Sequence, residues 1–108
     1  YTGTHDNNTT KGWYRQEGKD YHHNLNEYTA RNVTDDDVHI VLSRIAYKSI
    51  CKTVILPIQD VLGLDENARM NTPASATNNW SWRLLPGQVN GSSEEQLRKW
   101  TELYDRKK

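Results

Sequence analysis

Thr53-Val54-Ile55-Leu56-Pro57-Ile58, followed at once by Gln59-Asp60, is the stretch on which the fold class turns. It is β-branched, has no polar alternation and ends abruptly in two polar residues, the pattern of a strand covered on both faces in a parallel sheet. Pro57 has no N–H to give a central antiparallel ladder, so it belongs near the strand's C-terminal end or at a bulge. Upstream, Val38, Val41, Leu42, Ile45, Ala46 and Ile50 fall on a 3.6-residue stripe with Arg44 and Lys48 off it, which predicts an amphipathic helix over residues 35–51. Thr34 before Asp35-Asp36-Asp37 marks its start, a hydroxyl to cap free amides and three carboxylates where the helix dipole favours negative charge. A helix feeding a buried strand is half of a βαβ unit, and the fold class is read as α/β.

At the N-terminal side, Tyr1-Thr2-Gly3-Thr4-His5-Asp6 begins with strand-compatible types and ends polar, a short strand emptying into a loop. Tyr21, Leu25 and Tyr28 sit at i, i+4 and i+7, predicting a helix over about residues 19–30. Residues 61–91 have little periodicity and carry Pro73, Pro86, Gly63 and Gly87; a loop of that length is usually functional. Ser92 and Glu95 form a capping box for a last helix, with Leu97, Trp100, Leu103 and Tyr104 on its apolar face to about residue 106. The expected architecture is helix-rich with two short parallel strands.

Composition narrows the function. Leu, Ile and Val number 20 of 108 residues and Phe is absent, just under the share at which composition alone suggests disorder, but 14 basic residues balance 14 acidic ones. The chain has little to bury for its size, and it starts at Tyr1 inside a structured segment, so a slice of a larger domain is expected. Neutral charge removes the electrostatic footprint of a nucleic-acid or anionic-membrane binder. The run Asp105-Arg106-Lys107-Lys108 reads as a solvated helix end. A single cysteine, Cys51, excludes an internal disulfide and favours a reducing, cytoplasmic compartment. The longest apolar run is five residues, far short of the roughly 20 needed to span a bilayer.

Few residues announce chemistry. His5-Asp6 lies at the C-terminal end of a predicted strand, where α/β barrels and open sheets place working groups, and Gln59-Asp60 repeats the arrangement on the second strand. On adjacent parallel strands the two pairs would face one opening; a turn or N-cap is the competing reading. His22, His23 and His39 lack metal-ligand spacing, and no metal or cofactor site is expected. Asn78-Asn79-Trp80-Ser81-Trp82-Arg83 interleaves rings with hydrogen-bonding groups, as a sugar platform requires, although two Trp anchoring a long loop to the core is the reading these residues favour by themselves. Nucleophile-elbow and phosphate-loop patterns are absent from the sequence.

Three stretches carry more. Tyr1-Thr2-Gly3-Thr4-His5-Asp6-Asn7-Asn8-Thr9-Thr10-Lys11-Gly12-Trp13, then Leu56-Pro57-Ile58-Gln59-Asp60-Val61-Leu62-Gly63-Leu64, then Ala68-Arg69-Met70-Asn71-Thr72-Pro73 with Asn79-Trp80-Ser81-Trp82-Arg83, closely resemble in order and spacing the C-terminal end of the amylomaltases, or 4-alpha-glucanotransferases, of the α-amylase-like clan. The resemblance covers nearly the whole chain. It implies that residues 1–108 are the last two β/α units of a (β/α)8 barrel, an incomplete domain, since a whole barrel takes about 250 residues. It implies a parent enzyme that transfers α-1,4-glucan segments between maltooligosaccharides by retaining double displacement, with the nucleophile and the acid/base outside this segment, about 5 Å apart.

On that resemblance Asp6 matches the third carboxylate, which stabilises the transition state, and His5 its partner on the same sugar ring. Asn71 is expected to contact the acceptor side, with Gln59, Asp60 and Trp80 shaping the pocket. Asn8 stands where relatives usually have Asp, and Ala74-Ser75 follows Pro73 where Gly is usual. The alternatives are a non-catalytic maltooligosaccharide-binding module and an α-glucan hydrolase of the same clan. Unpaired barrel-strand edges predict self-association of the isolated segment.

Overall fold

The computed structural model describes residues 1–107; Lys108, the end of the basic run, lies outside the described residues. The chain runs through α1 (Thr10–Gln16), a 3-10 turn at Gly18–Tyr21, α2 (His22–Thr29), α3 (Val38–Lys48), the short α4 (Ile58–Val61), a 3-10 turn at Glu66–Ala68 and α5 (Gly91–Leu103). Among the described residues no segment forms a β-ladder, so the two parallel strands are not seen as strands. The segments meant to form them do come together, with Gly3 and Thr4 facing Ile55 and Pro57 across one cavity. What joins them is a side chain, Thr2 Oγ1 donating to Asp60 Oδ2 at 2.6 Å.

Pro57 explains where the second extended segment stops. Its φ of −58° and ψ of 142° place it at the N-cap of α4, and its carbonyl accepts from Asp60 N at 3.0 Å and Val61 N at 3.1 Å. A fixed φ and a missing N–H suit the entry of a helix. Ile58, Gln59 and Asp60 therefore lie in a helical turn, not at the end of a strand.

The core is small. Tyr14, Val33, Val38 and Val41 are buried together, with Trp13, Leu25, Leu42 and Ile45 packed against them. Thr9 caps α1 by accepting from Gly12 N at 3.1 Å, which aims Tyr14 inward so that its hydroxyl donates to the Val33 carbonyl at 2.9 Å. The Tyr14 ring stacks on His22 at 4.2 Å, so that histidine packs as an aromatic. Of the predicted α2 face only Leu25 reaches the core; Tyr21 and Tyr28 stay exposed.

The helix termini differ from the sequence reading in detail. The Thr34 hydroxyl donates rather than accepts, to Asp37 Oδ1 at 3.3 Å, and its N–H gives to the same oxygen at 2.8 Å, one half of a capping box; regular helix starts at Val38. α3 stops at Lys48, leaving Ile50 fully exposed beyond it. The cap of α5 is Asn90, accepting from Ser93 N at 3.1 Å, in place of Ser92. Trp100 is buried edge-on against Tyr47 at 5.7 Å, and Arg44 Nε donates to Tyr104 Oη at 2.8 Å. Arg106 is not a solvated end. Its guanidinium donates at 2.9 Å to each of the carbonyls of Tyr47, Ser49 and Cys51, satisfying orphan acceptors at the end of α3.

Candidate functional site

Asp60 anchors the floor. It is 3% exposed, its Oδ1 accepting from Thr10 N at 2.8 Å and its Oδ2 from Thr10 Oγ1 at 2.9 Å as well as from Thr2. A buried carboxylate needs such partners, and these three donors tie the N-terminal segment and α1 to α4. Gln59, beside it, donates from Nε2 to the Ala68 carbonyl at 3.2 Å, fixing the start of the long loop.

On that base the turn at His5-Asp6 projects outward, shaped by Asn7, whose Oδ1 accepts from Thr4 N at 2.7 Å. The long loop comes back against it. Asn71 N donates to the His5 carbonyl at 3.0 Å, and Asn71 Nδ2 donates to Asp6 Oδ1 at 2.6 Å. Arg69 reaches the Asp6 carbonyl at 2.8 Å and the Asn71 carbonyl at 3.0 Å. His5 Nε2 lies 3.4 Å from the same Asp6 Oδ1, and both side chains are about half exposed. Asp6 Oδ2 takes no hydrogen bond from the described residues, leaving one carboxylate oxygen open to a ligand.

Trp80 closes one side. The loop folds back on itself between Met70 and Trp80, with Trp80 N donating to the Met70 carbonyl at 2.6 Å and Asn79 Oδ1 accepting from Thr72 N at 2.9 Å. This sets Trp80 in the left-handed region, φ 59°, with its ring 4.8 Å from that of His5. Such a conformation is strained for a bulky residue and persists only where its surroundings enforce it. Trp80 stays 52% exposed, while Trp82 is half-buried and lines a separate hollow with Lys11, Leu64 and Ala68. Of the two tryptophans, Trp80 is the more exposed face.

A cavity of about 220 Å³ opens between these parts, walled by His5, Trp80, Ile55, Pro57, Gln59 and Met70. At its His5 edge the Asp6 carboxylate and the Asn71 carboxamide adjoin the imidazole, which meets the Trp80 indole, and such a set can bind vicinal hydroxyls and stack a pyranose. Of the six residues expected from sequence, His5, Gln59, Asp60 and Trp80 line this cavity, Asp60 at its buried base with both oxygens occupied, while Asp6 and Asn71 lie outside its lining, bonded to each other next to His5. Sequence reasoning missed Arg69, although it stands inside the quoted Ala68-Arg69-Met70-Asn71 run.

A family profile described as 4-alpha-glucanotransferase matches residues 1–88. The chain belongs to that family. It is 41% identical over 107 residues to a 4-alpha-glucanotransferase of Synechocystis sp., covering 99% of this chain and 21% of that protein. A Streptococcus pneumoniae 4-alpha-glucanotransferase is 44% identical over 107 residues, covering 98% and 21%. Among solved structures, the chain superposes on an amylomaltase from Streptococcus agalactiae in complex with acarbose with a TM-score of 0.87 and 27% identity, covering 97% of this chain and 21% of that one. The chain thus spans about a fifth of the length of the glucanotransferases it matches.

Proposed function

We propose that this chain is the C-terminal part of the catalytic (β/α)8 barrel of a 4-alpha-glucanotransferase that moves α-1,4-linked segments between maltooligosaccharides. Residues 1–4 and 53–57 would belong to its last two strands, paired once the rest of the barrel flanks them. The observation that carries the functional reading is the rim, where Asp6 keeps one oxygen open while Asn71, His5 and Arg69 fix the rest of it. The solved amylomaltase that this chain resembles holds acarbose, and we place an α-glucan at this face.

In double displacement one carboxylate attacks the anomeric carbon and another gives and retakes the leaving-group proton, through an oxocarbenium-like transition state. Both groups are assigned to parts of the barrel outside this segment, which alone is expected to be inert. Asp6 would hold ring hydroxyls and oppose the developing positive charge, with His5 on the same sugar. Bonds that tighten as the ring flattens raise turnover rather than affinity alone. Asn71 would present its carboxamide toward the acceptor, and the Trp80 face would stack a sugar. A cytoplasmic setting suits the exposed thiol of Cys51.

The test is Asp6→Asn in the full-length protein, following redistribution of maltotriose into longer and shorter chains. Turnover is expected to fall roughly 100- to 1,000-fold, the scale of losing one preorganised stabilising group, with the melting curve unchanged. Wild-type turnover in the folded variant removes Asp6 from the reaction.

A further inference from the structure

We infer that Arg69 is a positioning residue for Asp6, locking the turn that carries the carboxylate to the loop that carries Asn71. The inference rests on the assignment of Asp6 to the sugar. Two segments more than sixty residues apart meet along a seam that only a few bonds hold, one of them backbone, Asn71 N to the His5 carbonyl at 3.0 Å. Arg69 binds both sides at once, the Asp6 carbonyl at 2.8 Å through one terminal nitrogen and the Asn71 carbonyl at 3.0 Å through Nε. Among the described residues it has no carboxylate partner within ion-pair distance, so its guanidinium is committed to carbonyl groups.

A planar fork with fixed donor directions can meet two carbonyls on either side of a seam, which a lysine ammonium cannot do with the same geometry. With both carbonyls held, the Asn71 carboxamide is presented to Asp6 Oδ1 at 2.6 Å, and the other oxygen is aimed outward. Without Arg69 the Asp6 and Asn71 carbonyls lose the one group that ties them to each other, and only the bonds from Asn71 N and Nδ2 still join these two stretches. The carboxylate then loses its orientation while the rest of the sugar surface, Trp80 included, stays in place.

The expected signature is a kcat effect. In the full-length protein with maltotriose, Arg69→Met should lower kcat about 10- to 100-fold, the scale of a small misplacement of a working group, with KM changed less than about threefold. Arg69→Lys, which can keep one of the two bonds, should fall between this variant and the wild type with an unchanged melting curve, and it is the readout should Arg69→Met fail to fold. Asp6→Asn combined with Arg69→Lys should be no slower than Asp6→Asn alone, because a positioning residue has nothing left to position.

Wild-type kcat in the Arg69→Lys and Arg69→Met variants, a rise in KM at constant kcat, or multiplicative losses in the double variant would each overturn the inference. Wild-type turnover of Asp6→Asn alone is the separate outcome that overturns the assignment of Asp6.

Discussion

Replacing Asp60 by Ala tests whether the site stands on a buried carboxylate. The change removes three hydrogen bonds, from Thr2 Oγ1 at 2.6 Å, Thr10 N at 2.8 Å and Thr10 Oγ1 at 2.9 Å. Each bond to a charged group contributes about 1.5–3 kcal/mol, and they share one acceptor, so the sum is less than additive. The hydroxyls can turn to other partners, but the Thr10 amide, in a residue 4% exposed, is left with no acceptor. A loss of about 3–5 kcal/mol follows, a large part of the roughly 5–15 kcal/mol that ordinarily separates folded from unfolded protein.

Asp60→Asn separates charge from geometry. Its carbonyl can still accept from Thr10 N while its amide turns toward the two hydroxyls, for a cost of about 1–2 kcal/mol. Hydrogen exchange read by mass spectrometry on a peptide covering residues 1–17 of the full-length protein is the assay. Protection should fall about 100-fold or more in Asp60→Ala and about tenfold in Asp60→Asn, at about 1.4 kcal/mol per factor of ten. Wild-type protection in Asp60→Ala would refute the view that this carboxylate holds the N-terminal segment.

Two further outcomes concern the contact between α3 and the turn after α4. Gly63 has φ 68°, and a Cβ there would lie 2.7 Å from the His39 ring, so Gly63→Ala should destabilise by about 2 kcal/mol through backbone and steric cost together. Adding His39→Ala should return the steric part, and a melting temperature of Gly63→Ala equal to wild type would refute the contact. Burial, then the Lys11 charge, push the His39 pKa below its ordinary 6.5, against the opposing pull of Asp60 and Asp37. The unfolded chain therefore binds this proton before the folded one does. This contribution to stability is intact above pH 6.5, declines as the pH drops below 6.5, and levels off once the folded-state pKa is passed. His39→Gln should flatten that decline in melting temperature between about pH 7 and 5, and an unchanged profile would show that His39 does not cause it.

Much of this was legible from residue pattern because local rules and packing agree. Val38, Val41, Leu42 and Ile45 of the predicted stripe do face the core, and Trp100 on the last helix does bury. The errors have common causes. Periodicity continues through Ile50, but the extended backbone at Ser49, ψ 160°, ends the helix, and the carbonyls there are taken by Arg106, a partner nearly sixty residues away. Ser92-Glu95 fits a capping box, but Asn90 lies two residues earlier with an equally good acceptor, and it is Asn90 that takes the Ser93 amide. Thr53 to Ile58 reads as a strand because β-branched runs fit a sheet. A strand is nevertheless a relation between backbones, and what a lone extended segment pairs with is not written in its own residues.

The site divides along the same line. His5 and Asp6 could be chosen by type and position, since a polar pair after an apolar-compatible segment is visible locally. Whether Asp60 faces the ligand or the core depends on Thr2 and Thr10, residues whose types suggest no such role, and the structure turns it inward. The tryptophans behave likewise: the sequence offers Trp80 and Trp82 as equals, and the loop closure at Met70 makes only Trp80 an exposed face. Ala74 shows the backbone's side of the matter. Its φ of 66° is the region that glycine enters without steric cost. An alanine there costs on the order of 1 kcal/mol, which the hydrogen bonds of Asn79 to Thr72 N and to the Ser75 carbonyl, at 2.9 and 2.8 Å, must offset to keep the loop closed. The loop that presents Trp80 and Asn71 to Asp6 is thus set by bonds within it, so its shape follows from Asn79 as much as from any residue that would touch the sugar.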